Sequence, residues 1–118
     1  MASWRRHAAH ALPELWGDED DRTTPHLFFF TLLPFVRDAH RRGDDDALGR
    51  AYGFARWCLR QGGDLGNAAA VSFYEHLFDA WDVHRDVLRC LDDATVRAIW
   101  PLWAARLEPE QLRIVQAS

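Results

Sequence analysis

The chain has no lysine. Its 14 basic residues are all arginine, set against 18 Asp and Glu, for a formal net charge of −4 over 118 residues. The simplest source of that bias is GC-rich coding. The functional alternative is a use for arginine's planar, bidentate fork at an interface. With neither a basic balance nor a basic stripe, the composition argues against a nucleic-acid binder. The acidic balance also argues against a membrane-surface protein. Cysteine is scarce: Cys58 and Cys90 each sit among apolar residues with no partner close in sequence. They read as reduced, packed thiols in a cytoplasmic protein. No CxxC, HExxH or similar ligand spacing occurs. The longest apolar run, residues 27–36, is too short to span a bilayer and contains Pro34. The first residues lack the apolar stretch of a signal peptide. No segment alternates with period two over a useful length, so no sheet is expected.

What is abundant is apolar and aromatic. Hydrophobic residues make up 48% of the chain and aromatics 13%, with 6 Trp. That excludes a disordered chain and implies a bulky core in a single domain. Trp is hard to bury completely, so one or two are expected at the surface. The spacing predicts an all-α fold, a compact array of about five to seven helices joined by short loops. They stack as HEAT or armadillo repeats do, or pack as an irregular bundle.

The clearest helix is expected over residues 64–81. Ala70, Phe73, Tyr74, Leu77, Phe78 and Trp81 recur at three- and four-residue steps, with Ser72, Glu75, His76 and Asp79 opposite. Thr24 and Pro25 form a helix start, and Gly43 a stop. Between them residues 27–33 are apolar nearly all round, which predicts a deep helix, and Pro34 is expected to kink or split it. Asp44, Asp45 and Asp46 begin the next helix, which ends at Gly62 and Gly63. Trp57 falls on its polar side, one turn after Gly53. Residues 1–22 are expected to be weakly structured. They carry Trp4, Trp16 and an acidic run at residues 18–21. Further helices are expected after Asp82, after Asp92 and Asp93 (with Val96, Ile99, Trp100 and Trp103 inward), and after Pro109.

Few residues point to chemistry. Glu75, His76 and Asp79 lie within about one turn and have the ligand types of a metal site, but a solvated polar face explains them as well. Ser72 has no nucleophile elbow around it; a bond to a carbonyl of its own helix is expected. Gly62, Gly63 and Gly66 precede a helix, yet the strand and lysine of a phosphate loop are missing, which favours a helix-to-helix turn. Arg50, Arg56 and Arg60 give residues 47–61 the outline of a recognition helix, against which the neighbouring aspartates weigh. No cofactor and no metal is expected. The stronger candidate is an interaction patch of Trp57, Arg50 and Arg60, with Asp44, Asp45 and Asp46 steering a basic partner. The alternative for Trp57 is a ring folded over the helix edge or covered by the N-terminal segment.

The runs LLPFV, GDDDALGRAYGFARWCL and GNAAAVSFYEHLFD, within residues 32–79, resemble a family of small bacterial all-helical domains. That family is similar in layout to HEAT-like immunity proteins encoded beside polymorphic toxins. The resemblance covers less than half the chain, consists largely of core patterning, and brings no catalytic residues with it. It implies a non-enzymatic protein-binding role, neutralising a toxin domain in the cytoplasm. The alternatives are a structural or regulatory helical subunit of a larger complex, or a metal-dependent enzyme using Glu75, His76 and Asp79.

Overall fold

A computed structural model describes residues 3–17 and 22–117. All regular structure among them is helical: α1 (Trp4–Ala11), α2 (Pro13–Trp16), α3 (Pro25–Arg42), α4 (Asp45–Gln61), α5 (Gly63–Ser72), α6 (His84–Arg89), α7 (Asp93–Ala104) and α8 (Pro109–Ala117). Two 3-10 segments, Tyr74–Asp79 and Trp81–Val83, connect α5 to α6. The body measures 41 × 32 × 20 Å, so its short axis is about two helix diameters.

The helix boundaries follow local chemistry. Thr24 caps α3 by accepting the Leu27 N–H, and Pro25 takes the first position, where its missing N–H costs nothing. Gly43, at φ 67°, closes α3 in the left-handed conformation and donates to Ala39 and His40. Asp44 caps α4 through the Ala47 N–H, and Asp92 caps α7 through Thr95. α3 is not split at Pro34. The ring lies on the exposed face, where the carbonyl it leaves unpaired can bond to water.

α3, α4 and α5 pack against one another in a closed triangle, the arrangement of a bundle rather than of a solenoid whose repeats touch only their neighbours. Gly66 lets α5 approach α4 closely: a Cβ there would lie 3.1 Å from the Leu59 carbonyl oxygen. Gly62 and Gly63 both hold positive φ, 68° and 58°, and make the α4–α5 turn that the glycine-rich run was expected to form. A string of aromatic contacts crosses the core from Trp16 to Phe28, Phe54, Phe29, Phe73 and Tyr52, with centroids 5.5 to 5.8 Å apart. Cys58 is wholly buried beside it, and burial pushes its thiol up to about 12.

Two expectations are corrected. The helix expected over residues 64–81 ends at Ser72. Phe73 leaves the α region at φ −127° and ψ −71°, and the chain tightens into a 3-10 segment. The break turns Ser72, Phe73 and Tyr74, three consecutive residues, all inward, whereas an amphipathic helix would spread them over about 200° and put one of them outside its apolar stripe. It also frees buried carbonyls, and distant side chains satisfy them. Trp103 Nε1 donates to the Tyr74 carbonyl at 2.8 Å and Arg37 Nη2 to that of His76 at 2.9 Å. Within residues 1–22, the described part is helical and packed. Ala8 and Leu12 are fully buried, and Arg5 donates to the Thr23 carbonyl at the start of α3. The acidic run at residues 18–21 lies outside the described residues.

Trp103→Phe removes the indole donor to the Tyr74 carbonyl and leaves a cavity where the larger ring system sat. The unsatisfied buried carbonyl should cost about 1–3 kcal/mol and the cavity should add to it, read as a lower urea midpoint at unchanged slope. No shift in the midpoint would mean that this bond does not hold the 3-10 segment.

Candidate interaction surface

The residues of the expected Trp57 patch are mostly engaged within the chain. Trp57 is half-buried under α1, where the His7 ring stacks on it at 3.7 Å between centroids and 19° between planes. Arg50 forks onto the Glu14 carboxylate at 2.8 and 2.9 Å and donates to the Ala11 carbonyl and to Asp46. The hydrogen bond with Glu14 is the main cause that raises the guanidinium pKa and, reciprocally, holds the Glu14 carboxyl below its usual range. Arg50 therefore clamps α1 and α2 onto α4. Asp44 is a helix cap bonded to Arg42, Asp45 pairs with Arg89 at 3.0 Å, and Asp46 pairs with Arg50. Arg60 is exposed beside Arg56 and Thr95, about 24 Å along the helix from Asp44. The six residues do not converge on one patch.

Glu75, His76 and Asp79 do converge, around an arginine. Arg106 reaches Asp79 at 2.8 Å and Glu75 at 3.3 Å, while His76 Nδ1 lies 2.9 Å from Asp79. Partial burial pushes the Asp79 carboxyl up, but the hydrogen bonds from Arg106 and then His76 outweigh it and hold the pKa below the ordinary value. Among the described residues no three His, Cys, Asp or Glu side chains are grouped to hold a metal ion. Ser72 faces inward rather than to solvent. Its hydroxyl bonds to His26 Nδ1 at 2.5 Å, joining α5 to α3, instead of to a carbonyl of its own helix.

One polar cluster has no counterpart in the sequence reading. The His40 side chain is completely buried between Asp86 Oδ2, 2.6 Å from Nδ1, and the Tyr52 hydroxyl, 2.8 Å from Nε2. Asp86 also accepts from Arg89, which reaches Asp45. The chain of contacts ties α6 to α3 and α4. The hydrogen bond from His40 is the largest cause that depresses the Asp86 pKa, while burial raises that of Tyr52 well above its ordinary value. The only sequence signal was His40 on the inward face of α3, beside Val36 and Ala39. Its partner Asp86 is 46 residues away.

The outer face of α3 is the larger surprise. A helix apolar nearly all round was expected to lie deep. Phe28, Phe29, Leu32 and Leu33 do, but Leu27 and Phe30 are 55% and 54% exposed. Thr31 and Pro34, also exposed, continue the same face at helical spacing. At Pro34 the stripe meets a groove of about 320 Å³ lined by Arg37, Arg41, Asp79 and Ala80. Arg37 Nε is buried there without a hydrogen-bond partner among the described residues. Arg41 forks onto Asp82 at 3.0 and 3.2 Å along the same edge. An apolar strip beside a polar, charged groove has the anatomy of a protein-contact surface.

The fold and this surface define a small all-helical domain whose two most exposed large hydrophobic side chains, among the described residues, lie on one helix face. A family described as a domain of unknown function (DUF7674) matches residues 6–108, and the chain belongs to it. No curated protein and no solved structure matches the chain. Among the described residues no helix is long and apolar enough to cross a membrane.

Asp86 gives a pH prediction with a definite sign. Its folded pKa is depressed, so its contribution is present above the ordinary carboxylate pKa of about 4 and is lost as pH falls through the folded value. Asp86→Asn should therefore lower Tm most at neutral pH. The gap from the parent should close on acidification, as read by thermal melts from pH 7 to 2.5. A gap independent of pH would remove the ion pair as its cause.

Proposed function

We propose that this domain acts by binding another protein through the outer face of α3, and that the partner surface is basic. The exposure of Leu27 and Phe30 carries the reading. Single exposed apolar residues are ordinary. Two on adjoining turns, extended by Thr31 and Pro34 and bordered by a charged groove, form a contiguous strip whose burial is favourable. The acidic residues 18–21 lie in sequence shortly before α3, separated from it by Arg22, Thr23 and Thr24, and the net charge is −4. Both favour association with a basic surface, mainly through its rate.

The specific form of this function is a cytoplasmic bacterial immunity protein that neutralises a cognate toxin domain by direct binding. The resemblance of residues 32–79 to a small bacterial all-helical family that is similar in layout to immunity proteins is what favours it, together with the apolar strip as a means of occluding a partner's site. A structural or regulatory subunit would use the same strip in a permanent complex. A toxin domain encoded beside this chain supplies the test.

Leu27→Ser with Phe30→Ser removes the apolar area of the strip without touching the core and without adding negative charge that a basic partner would attract, so Tm should barely move. Binding to that toxin domain by calorimetry should weaken about 30-fold or more, the loss of about 2 kcal/mol expected of a contact hot spot. Co-expression should no longer rescue growth. Full rescue and unchanged affinity in the double variant would rule out this face.

A further inference from the structure

Arg37 stands apart from the other groups that line the groove at the end of the α3 strip. Its Nη2 is anchored on the His76 carbonyl at 2.9 Å, so the guanidinium is held in place before any partner arrives. Arg41, Arg42, Arg50, Arg89 and Arg106 each pair with a carboxylate, whereas Arg37 pairs with none among the described residues. Its Nε is buried without an acceptor among them, a costly position for a charged group. The nearby carboxylates are already engaged. Asp79, on the groove wall, is held by Arg106 and His76, and Asp82 accepts both bonds from Arg41. The chain leaves one preplaced positive charge without an ion-pair partner, one turn past Pro34, where the apolar strip meets the groove.

We propose that Arg37 is the polar anchor of the α3 contact surface, and that it receives a carboxylate side chain, Asp or Glu, of the bound protein. This rests on the reading that the α3 face binds a protein, and it names the group that meets the groove. A guanidinium and a carboxylate match in a charge-assisted pair, shorter and stronger than a neutral hydrogen bond. A phosphate fits less well. Asp79 on the wall and Asp82 at the edge repel a dianion about twice as strongly as a single carboxylate. A free small acid would reach Arg37 and leave Leu27 and Phe30 bare, whereas a protein side chain uses the groove and the strip together. One carboxylate within a basic partner surface involves no conflict. The summed charges act on approach, over ~10 Å, and the pair acts at contact.

The test is a double-mutant cycle, by calorimetry, between the full chain and the toxin domain encoded beside it. Arg37→Gln is combined in turn with Asp→Asn and Glu→Gln variants of that domain. Arg37→Gln should weaken binding about 10-fold or more. One carboxylate of the toxin domain should show a similar loss alone and little further loss in combination, which a merely structural role for Arg37 would not produce. Should Arg37→Gln fail to fold, Arg37→Lys, which keeps the charge and loses the fork, enters the same cycle and should couple to the same carboxylate. Unchanged affinity, or losses that add for every carboxylate, would overturn the proposal and leave the α3 reading standing, provided that Leu27→Ser with Phe30→Ser still weakens the complex. Normal binding by that double variant, or no complex with the parent chain, would overturn both.

Discussion

A buried carbonyl must find a donor, and this fold is arranged around two that the main chain cannot supply. Where the chain leaves the α-helix at Phe73 it enters a 3-10 segment that buries Tyr74, Leu77 and Phe78 and has its other residues partly exposed. The Tyr74 carbonyl is met by the indole N–H of Trp103 and the His76 carbonyl by Arg37. These contacts fix α7 on one side of the irregular segment and α3 on the other. Phe78, packed edge-on against Trp103 at 5.0 Å, fills the space between. The aromatic core and the polar clasps are parts of one solution to that single irregularity.

Arginine supplies most of the clasps. Arg50 on Glu14 and Arg41 on Asp82 each fork two nitrogens onto one carboxylate, and Arg106 spans two carboxylates, Nη2 on Asp79 and Nη1 on Glu75. A lysine ammonium lacks the planar fork to reproduce them. Each pair is at or near the surface and contributes modestly to stability. Their geometric effect is larger. They set where α1 and α2 lie on α4, where Trp81–Val83 lies on α3, and how Arg106, just past α7, meets the 3-10 turn. The excess of arginine, which composition leaves open between coding bias and interface chemistry, has a structural use here.

Helix class and most boundaries were legible because their causes are local. Thr24 with Pro25, Gly43, Asp44 and Asp92 signal starts and stops within a few residues of where they act. The break at Phe73 was not legible, because a period of 3.6 fits residues 70–81 and only the distant donors Arg37 and Trp103 make the alternative favourable. The same limit hid the candidate sites. Trp57 has the right helical phase for exposure, yet His7 covers it from 50 positions upstream. Leu27 and Phe30 read as core because their composition matches Phe28 and Phe29. Their exposure depends on no other helix among the described residues packing on that side of α3. His40 and Asp86 show no signal as a pair, since they stand 46 positions apart with the irregular segment between them.

The two cysteines sit at different depths of this architecture. Cys58 is sealed in α4 with its thiol pushed up to about 12, whereas Cys90, partly exposed at the end of α6, is raised less far and borders the cleft beside Tyr52 and Arg89. Alkylation therefore samples two different openings of the same molecule. Modification of Cys90 reports fraying of the short α6 region, and modification of Cys58 reports separation of the α3–α4–α5 triangle. The protein carries, in its two native thiols, separate clocks for a half-open edge and for a sealed core.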